Sequence, residues 1–193
     1  MKIMKRPSNE NPLERIKRIW LFILLVGAMT SCMEYTSYYP IGKPKERTIK
    51  SKLLGDWQYI SGVDLRTKKE LGYGAHFMRV SPFSEQEYLV QLVSDSIESL
   101  RDVDQFRGFT TTLSDAKFAN LSPINNEGKR PVFSIYKYRL KKDSLIFQGI
   151  SEDTFDTLNV VINSIGQHKK FIKKSLKKPE WWDREYKYIR RKK

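Results

Sequence analysis

The side chains best suited to chemistry are one cysteine, Cys32, and two histidines, His76 and His168, which are far apart in the chain. A single cysteine excludes an intramolecular disulfide and a zinc finger. Catalytic triads do assemble from distant positions, but no Gly-x-Ser-x-Gly elbow accompanies these histidines. Because no dense carboxylate cluster is present either, we interpret both histidines as surface or edge-of-core residues rather than metal ligands.

Two pairs of carboxylates, Asp102 with Asp104 and Glu152 with Asp153, fall in apparent loops. Cleavage of a glycosidic bond needs two carboxyl groups about 5–10 Å apart across a cleft, whereas neighbouring acids in loops usually cap turns. The chain has no P-loop and no Gly-x-Gly-x-x-Gly motif for nucleotide binding. We therefore expect no enzyme activity, no cofactor and no metal.

Cys32 follows a segment with the layout of a secretory signal. Basic residues precede an uncharged apolar run over residues 19–29, which is shorter than the ~20 residues of a membrane-spanning helix. Met29-Thr30-Ser31-Cys32 resembles the lipobox of bacterial lipoproteins. The resemblance implies diacylglycerol on the Cys32 thiol, cleavage before that residue and acylation of the new amino terminus, which together anchor stably. The alternatives are an uncleaved signal anchor or a conventional signal cut elsewhere.

The organisation predicted from these features is a signal peptide over 1–31, a lipidated cysteine and flexible tether over 32–51, and one domain over 52–193. Pro40, Gly42 and Pro44 interrupt any periodicity in the tether. We expect the mature protein in the cell envelope, held to the membrane by its anchor. Met33, rather than Asp, follows the anchor, and this resembles the sorting of lipoproteins to the outer membrane.

The net charge of +14 is unevenly distributed along the chain. Residues 1–31 contribute +4, residues 32–165 contribute +1 and residues 166–193 contribute +9. A protein that binds nucleic acid carries its basic residues on the folded body. The nearly neutral body therefore argues against nucleic acid as a partner.

Short strands divided by turn signals dominate the chain after Leu53. The predicted strands cover residues 57–62, 75–80, 86–93, 109–113, 118–121, 132–140, 144–150 and 185–190. Ser164 and Gln167 have the spacing of a helix capping box, and Pro179 marks the end of that helix. The pattern predicts a mainly β fold: a small antiparallel barrel or strongly curved sheet, with one C-terminal helix before the last strand.

Gly55-Asp56-Trp57, at the start of the first strand, resembles the Gly-x-Trp motif of the lipocalin and calycin superfamily. The resemblance implies a closed antiparallel barrel whose base is plugged by Trp57. It also implies a late arginine stacked on that tryptophan, for which Arg190 is the candidate.

Two functions of different classes fit this fold. The first is a binding module that holds a small apolar or amphipathic ligand inside the barrel, or a protein partner at its rim. The alternative is a structural or accessory envelope lipoprotein that acts through its surface. The interior decides between them: Tyr88, Tyr136 and Tyr138 either fill it or leave a cavity of several hundred Å³ for a ligand.

The predicted C-terminal helix supplies a candidate basic surface. If Ile165, Ile172 and Leu176 face the domain, steps of 100° per residue place lysines on the opposite side. These are Lys170, Lys173, Lys174 and Lys177. They form either a solvated face or, with the basic C-terminal tail, a contact with anionic envelope lipid or an acidic partner. Trp181-Trp182 after Pro179 either packs against the barrel or stays available to lipid or carbohydrate.

Overall fold

The computed structural model of the chain describes residues 34–44, 49–72, 76–94, 103–124 and 130–192. The predicted signal peptide and Cys32 lie outside these ranges, so lipidation stays a prediction.

Nine strands and two α-helices are found in the described residues. The strands are β1 (Thr36–Ser37), β2 (Gly55–Asp64), β3 (His76–Pro82), β4 (Tyr88–Ser94), β5 (Asp104–Leu113), β6 (Ala116–Pro123), β7 (Phe133–Lys141), β8 (Ser144–Gly149) and β9 (Arg184–Arg190). The helices are α1 (Glu152–Thr157) and α2 (Ile165–Ser175), with 3-10 turns at Ser51–Leu53 and Pro179–Trp181. Each predicted strand is present, with ends that differ by a few residues.

Strands β2 to β9 close an antiparallel barrel. Their order is β7-β6-β5-β4-β3-β2-β9-β8, and β8 returns to pair with β7. The short β1 is not one of these eight strands; it pairs with β7 where that strand extends beyond its pairing with β8. The predicted mainly β fold, with a C-terminal helix before the last strand, is therefore confirmed.

Turn geometry and the alternation of inward-facing and outward-facing side chains explain why the chain forms these strands. Ser114 and Asp115 link β5 to β6 with φ values of 48° and 65°, and positive φ at both positions matches the twist of a tight hairpin. Along β7, Ser134, Tyr136 and Tyr138 point into the barrel because successive side chains alternate between faces.

Helix α2 begins at the predicted cap, where the Ser164 hydroxyl accepts a hydrogen bond from the Gln167 amide at 3.2 Å. Its buried face differs from the predicted stripe. The fully covered residues are His168, Phe171, Ile172 and Ser175, while Ile165 and Leu176 are half-buried. The predicted stripe contains only aliphatic residues, whereas aromatic and small polar side chains lie at the centre of the observed contact. Helix α1, capped by the Ser151 hydroxyl, was not predicted.

The prediction of a flexible tether is wrong for residues 34–44, which pack against the domain. Tyr35 is 6% exposed and Ile41 is 1% exposed. Both join α2 and Trp182 in a second core outside the barrel, over Phe118 and other outward-facing residues of its wall. Because these outward positions are apolar, leaving the segment free would expose them to water.

Candidate functional site

One end of the barrel, here called the base, is closed by the residues of the Gly-x-Trp motif. Trp57 is fully buried, and its indole nitrogen donates to the Leu53 carbonyl at 2.9 Å. The Arg190 guanidinium lies 4.2 Å from the centre of the Trp57 ring and donates to the Leu54 carbonyl at 2.9 Å. Gly55 has a φ of 119°, and a Cβ there would lie 3.1 Å from the Arg190 guanidinium. Only glycine adopts this conformation readily.

Tyrosines fill the half of the interior next to the base. Tyr88 and Tyr138 are buried, and the Tyr88 hydroxyl accepts from the Lys50 amide at 2.7 Å. Burial raises the pKa of Tyr138 to about 12. The space left among these side chains is about 40 Å³, which is enough for a water molecule but not for a ligand.

The opposite end, here called the open end, contains the larger cavity. It measures about 110 Å³ and is partly open to solvent. Its apolar lining residues are Met78, Val90, Leu92, Phe106, Leu121 and Phe147, and its polar ones are His76, Ser134, Tyr136, Tyr186 and Tyr188. Of the three tyrosines predicted for the interior, Tyr136 lines this pocket. The pocket is smaller than the several hundred Å³ expected for a drug-sized ligand.

Polar groups lie along the pocket beside the apolar lining. A hydrogen bond of 3.2 Å joins His76 Nε2 to the Tyr188 hydroxyl, and the His76 ring stacks on Tyr59 with centroids 4.5 Å apart. His76 is half-buried at the first residue of β3, which agrees with the predicted edge-of-core position, and its ring forms part of the pocket wall. An amphipathic ligand could therefore bury an apolar group and meet hydrogen-bonding groups at the same wall.

Glu34 adds a carboxyl group next to this pocket. The Tyr186 hydroxyl donates to Glu34 Oε1, and Tyr136 forms a second hydrogen bond with the same side chain. The side chain passes over Gly149, where a Cβ would lie 2.5 Å from Glu34 Oε2. Burial raises the pKa of Glu34 to about 7, although the two tyrosines and Arg184 favour its charged form.

Asp183 accepts hydrogen bonds from residues that follow β8 at the open end of the barrel. Its carboxylate accepts from the Ser151 amide at 2.8 Å, the Ser151 hydroxyl at 2.6 Å and the Thr154 hydroxyl at 2.6 Å. The neighbouring Arg184 lies 3.7 Å from the Asp64 carboxylate, and both of these side chains are buried. At the open end the buried Asp183 is thus hydrogen-bonded and Asp64 and Arg184 form an ion pair, which offsets the cost of burying these charges.

His168 belongs to the outer core rather than to the pocket. It is fully buried, its Nδ1 donates to the Tyr39 carbonyl, and Nε2 has no hydrogen-bond partner among the described residues. Burial lowers the pKa of His168 to about 4, so the ring is neutral at pH 7. Nowhere in the described ranges do three or more His, Cys, Asp or Glu side chains form a possible metal site.

None of the described residues of the two predicted carboxylate pairs lines the pocket. Asp104 is exposed at the start of β5, and Asp102 lies outside the described residues. Glu152 and Asp153 are exposed in the first turn of α1, where negative side chains favour a helix N-terminus.

The C-terminal basic residues lie on the outer wall and at the base. Lys170, Lys173, Lys174 and Lys177 are all exposed. Trp182 is buried and donates through its indole nitrogen to the Ser175 carbonyl at 3.2 Å. Trp181 is half-buried, with the Lys174 ammonium 5.7 Å from its ring centre. The described tail residues, Arg191 and Lys192, follow β9 at the base.

Sequence reasoning missed three residues of the open end. Tyr186 and Tyr188 alternate with outward residues on β9, so the period of two could have assigned them to the interior. Glu34 carries no such signal, because it precedes β1 in a segment without periodicity.

No helix in the described part of the chain is both long and apolar enough to cross a membrane. Comparison with protein-family models, with curated proteins and with solved structures finds no match, so the geometry of the site has to support the functional assignment.

Proposed function

We propose that this chain is a membrane-anchored envelope lipoprotein whose barrel is a non-enzymatic binding module for a small apolar or amphipathic ligand. The observation that carries the proposal is the apolar pocket at the open end, lined on one side by His76, Tyr136 and Tyr188. Apolar lining with a few polar groups is typical of ligand sites, where burial supplies affinity and the polar groups set orientation.

The size of the pocket limits the ligand. A dry apolar cavity of about 150 Å³ holds one benzene molecule, and this pocket measures about 110 Å³. The buried part of the ligand is therefore a slender group of a few carbon atoms. Each buried CH₂ contributes about 0.8 kcal/mol, so we expect weak binding unless the polar groups also take part.

Binding of a slender amphipathic probe such as 1-pentanol, followed by NMR chemical-shift titration, tests this site. We expect the mature chain carrying Cys32→Ser to bind the probe, and Leu92→Trp to weaken binding at least about tenfold by filling the pocket. Ile60→Trp is the matched control, because Ile60 is exposed on the outer face of β2. No binding by the parent chain, or equal binding by both tryptophan variants, would contradict the proposal.

The anchor is supported by the lipobox-like segment before Cys32 and has its own test. Intact mass spectrometry of the protein extracted from bacterial membranes should give a chain that begins at Cys32 and carries acyl groups. Cys32→Ala should accumulate as the uncleaved precursor. Fractionation should recover the acylated protein with the outer membrane. A mature protein with an unmodified thiol would refute the anchor.

A second candidate function, action through the surface without a ligand, is favoured by four exposed lysines on α2 and in the turn that follows it. Each lysine near an anionic surface contributes about 1 kcal/mol and is screened by salt. Co-sedimentation of the Cys32→Ser protein with anionic vesicles at low salt should then decrease when the four lysines become glutamine. These are Lys170, Lys173, Lys174 and Lys177. Binding that is equal with neutral vesicles would exclude an electrostatic surface.

A further inference from the structure

The segment over residues 34–37 forms part of the barrel wall. Pairing between β7 and β8 ends at Lys137 opposite Gln148. Beyond that point, toward the open end, β7 pairs with β1 instead, with Thr36 opposite Ser134. On its other side the segment follows the chain after β8: the Tyr35 amide donates to the Ile150 carbonyl at 3.0 Å, and Glu34 bridges to Ser151. The segment thus fills the gap where β7 and β8 separate.

Side chains on both faces of the wall fix this segment. On the inner side, the Glu34 carboxyl is held by Tyr186 and Tyr136. On the outer side, the Tyr35 ring stacks on Phe155 with centroids 3.9 Å apart. Further along, the Ile41 amide donates to Asn120 Oδ1 at 2.8 Å. Residues 34–44 therefore belong to the folded body and supply no flexible spacer.

Only Met33 separates Glu34 from Cys32, so a trans backbone keeps their Cα atoms within about 7 Å. Glu34 lies at the open end, beside Gly149 and Ser151. The base is farther away by the length of β9, which at about 3.3 Å per residue is about 20 Å. If Cys32 carries the anchor, as the proposed function holds, the open end has to stay at the membrane surface while the base points away from it.

We propose that the barrel is oriented with its open end against the lipid leaflet that carries its anchor, so that the mouth of the pocket faces lipid. The partner of the open end is the membrane surface itself. Ile124, at the open end beyond β6, is 37% exposed and adds an apolar contact there. In this orientation the basic tail after β9 faces away from that leaflet. The tail and the anchor therefore do not contact the same lipid surface.

The test measures which end approaches the lipid in the full acylated protein. The protein is reconstituted in phosphatidylethanolamine and phosphatidylglycerol vesicles that contain a lipid with a nitroxide headgroup. A fluorophore is attached at Arg66→Cys, beyond the open end of β2, or at Lys141→Cys, at the base end of β7. Both residues are exposed, and the acylated Cys32 thiol does not react with the label.

We expect the nitroxide to quench the Arg66→Cys label several-fold more strongly than the Lys141→Cys label. Insertion of ten Gly and Ser residues between Met33 and Glu34 should remove that difference, because a flexible spacer lets the barrel turn. An acylated protein in which both labels are quenched equally, or Lys141→Cys more strongly, would overturn the orientation and leave the lipoprotein assignment intact. A mass spectrum showing unmodified Cys32 would overturn both.

Discussion

Replacing Glu34 with glutamine should change how the stability of the domain depends on pH. In the folded state burial raises the pKa of Glu34 to about 7 from an ordinary value of 4.5. Folding therefore disfavours the charged carboxylate. The stability associated with the neutral group is fully present below pH 4.5 and is lost as pH rises through 7. Glutamine is close in shape, keeps an acceptor for the Tyr186 hydroxyl and does not ionise.

The size of the effect follows from the pKa difference. One pKa unit corresponds to about 1.4 kcal/mol, so the full difference amounts to about 3 kcal/mol, of which about 2–3 kcal/mol develops between pH 5 and pH 8. His168 titrates in the same region with the opposite sign, since its pKa is lowered to about 4. Both proteins contain His168, so the difference in unfolding free energy between wild type and Glu34→Gln isolates the carboxyl group.

Urea unfolding of the two proteins at pH 5 and pH 8 measures this difference. Glu34→Gln should gain stability relative to wild type as pH rises. Gly149→Ala should act in the same direction by displacing the carboxyl group, because its Cβ would lie 2.5 Å from Glu34 Oε2. Gly166→Ala is the control, since the nearest atom to its Cβ would be 3.8 Å away. A constant difference across this pH range would show that the Glu34 carboxyl is solvated and refute the reasoning.

Three further perturbations test other parts of the fold. Trp57→Ala should reduce the unfolding free energy by about 3–5 kcal/mol because the ring is fully buried. A loss under about 1 kcal/mol in urea unfolding would mean that packing at the base of the barrel does not depend on the Trp57 ring. His168→Asn can keep a donor to the Tyr39 carbonyl and should remove about 3 kcal/mol of acid destabilisation, which in wild type develops as pH falls from 6.5 toward 4. Identical acid unfolding curves for the two proteins would count against a buried neutral His168 ring. Asp183→Asn should cost about 1–3 kcal/mol in thermal or urea unfolding because the carboxylate accepts three hydrogen bonds, whereas the exposed Glu180→Gln should be neutral.

Local patterns in the sequence determined most of the barrel. Alternation identified the hairpin of β7 and β8, and the Ser164 and Gln167 spacing located the start of α2. The Gly-x-Trp motif identified Gly55 and Trp57, and the resemblance that it carries implied the distant Arg190. The three residues lie together at the base. These features depend on neighbours in sequence or on a single recognisable motif, so they could be inferred before any packing was known.

Tertiary structure alone decided what residues 34–44 do and how much room the barrel leaves. Proline, glycine and charge made this segment resemble a linker, but Tyr35 finds its hydrogen-bond partner at Ile150, more than a hundred residues later. The volume of the pocket likewise depends on how tyrosines from β4, β7 and β9 share one interior. Sequence patterns report the periodicity of each strand separately. The pairing of β1 with β7 and the volume of the pocket arise only when distant segments pack against one another.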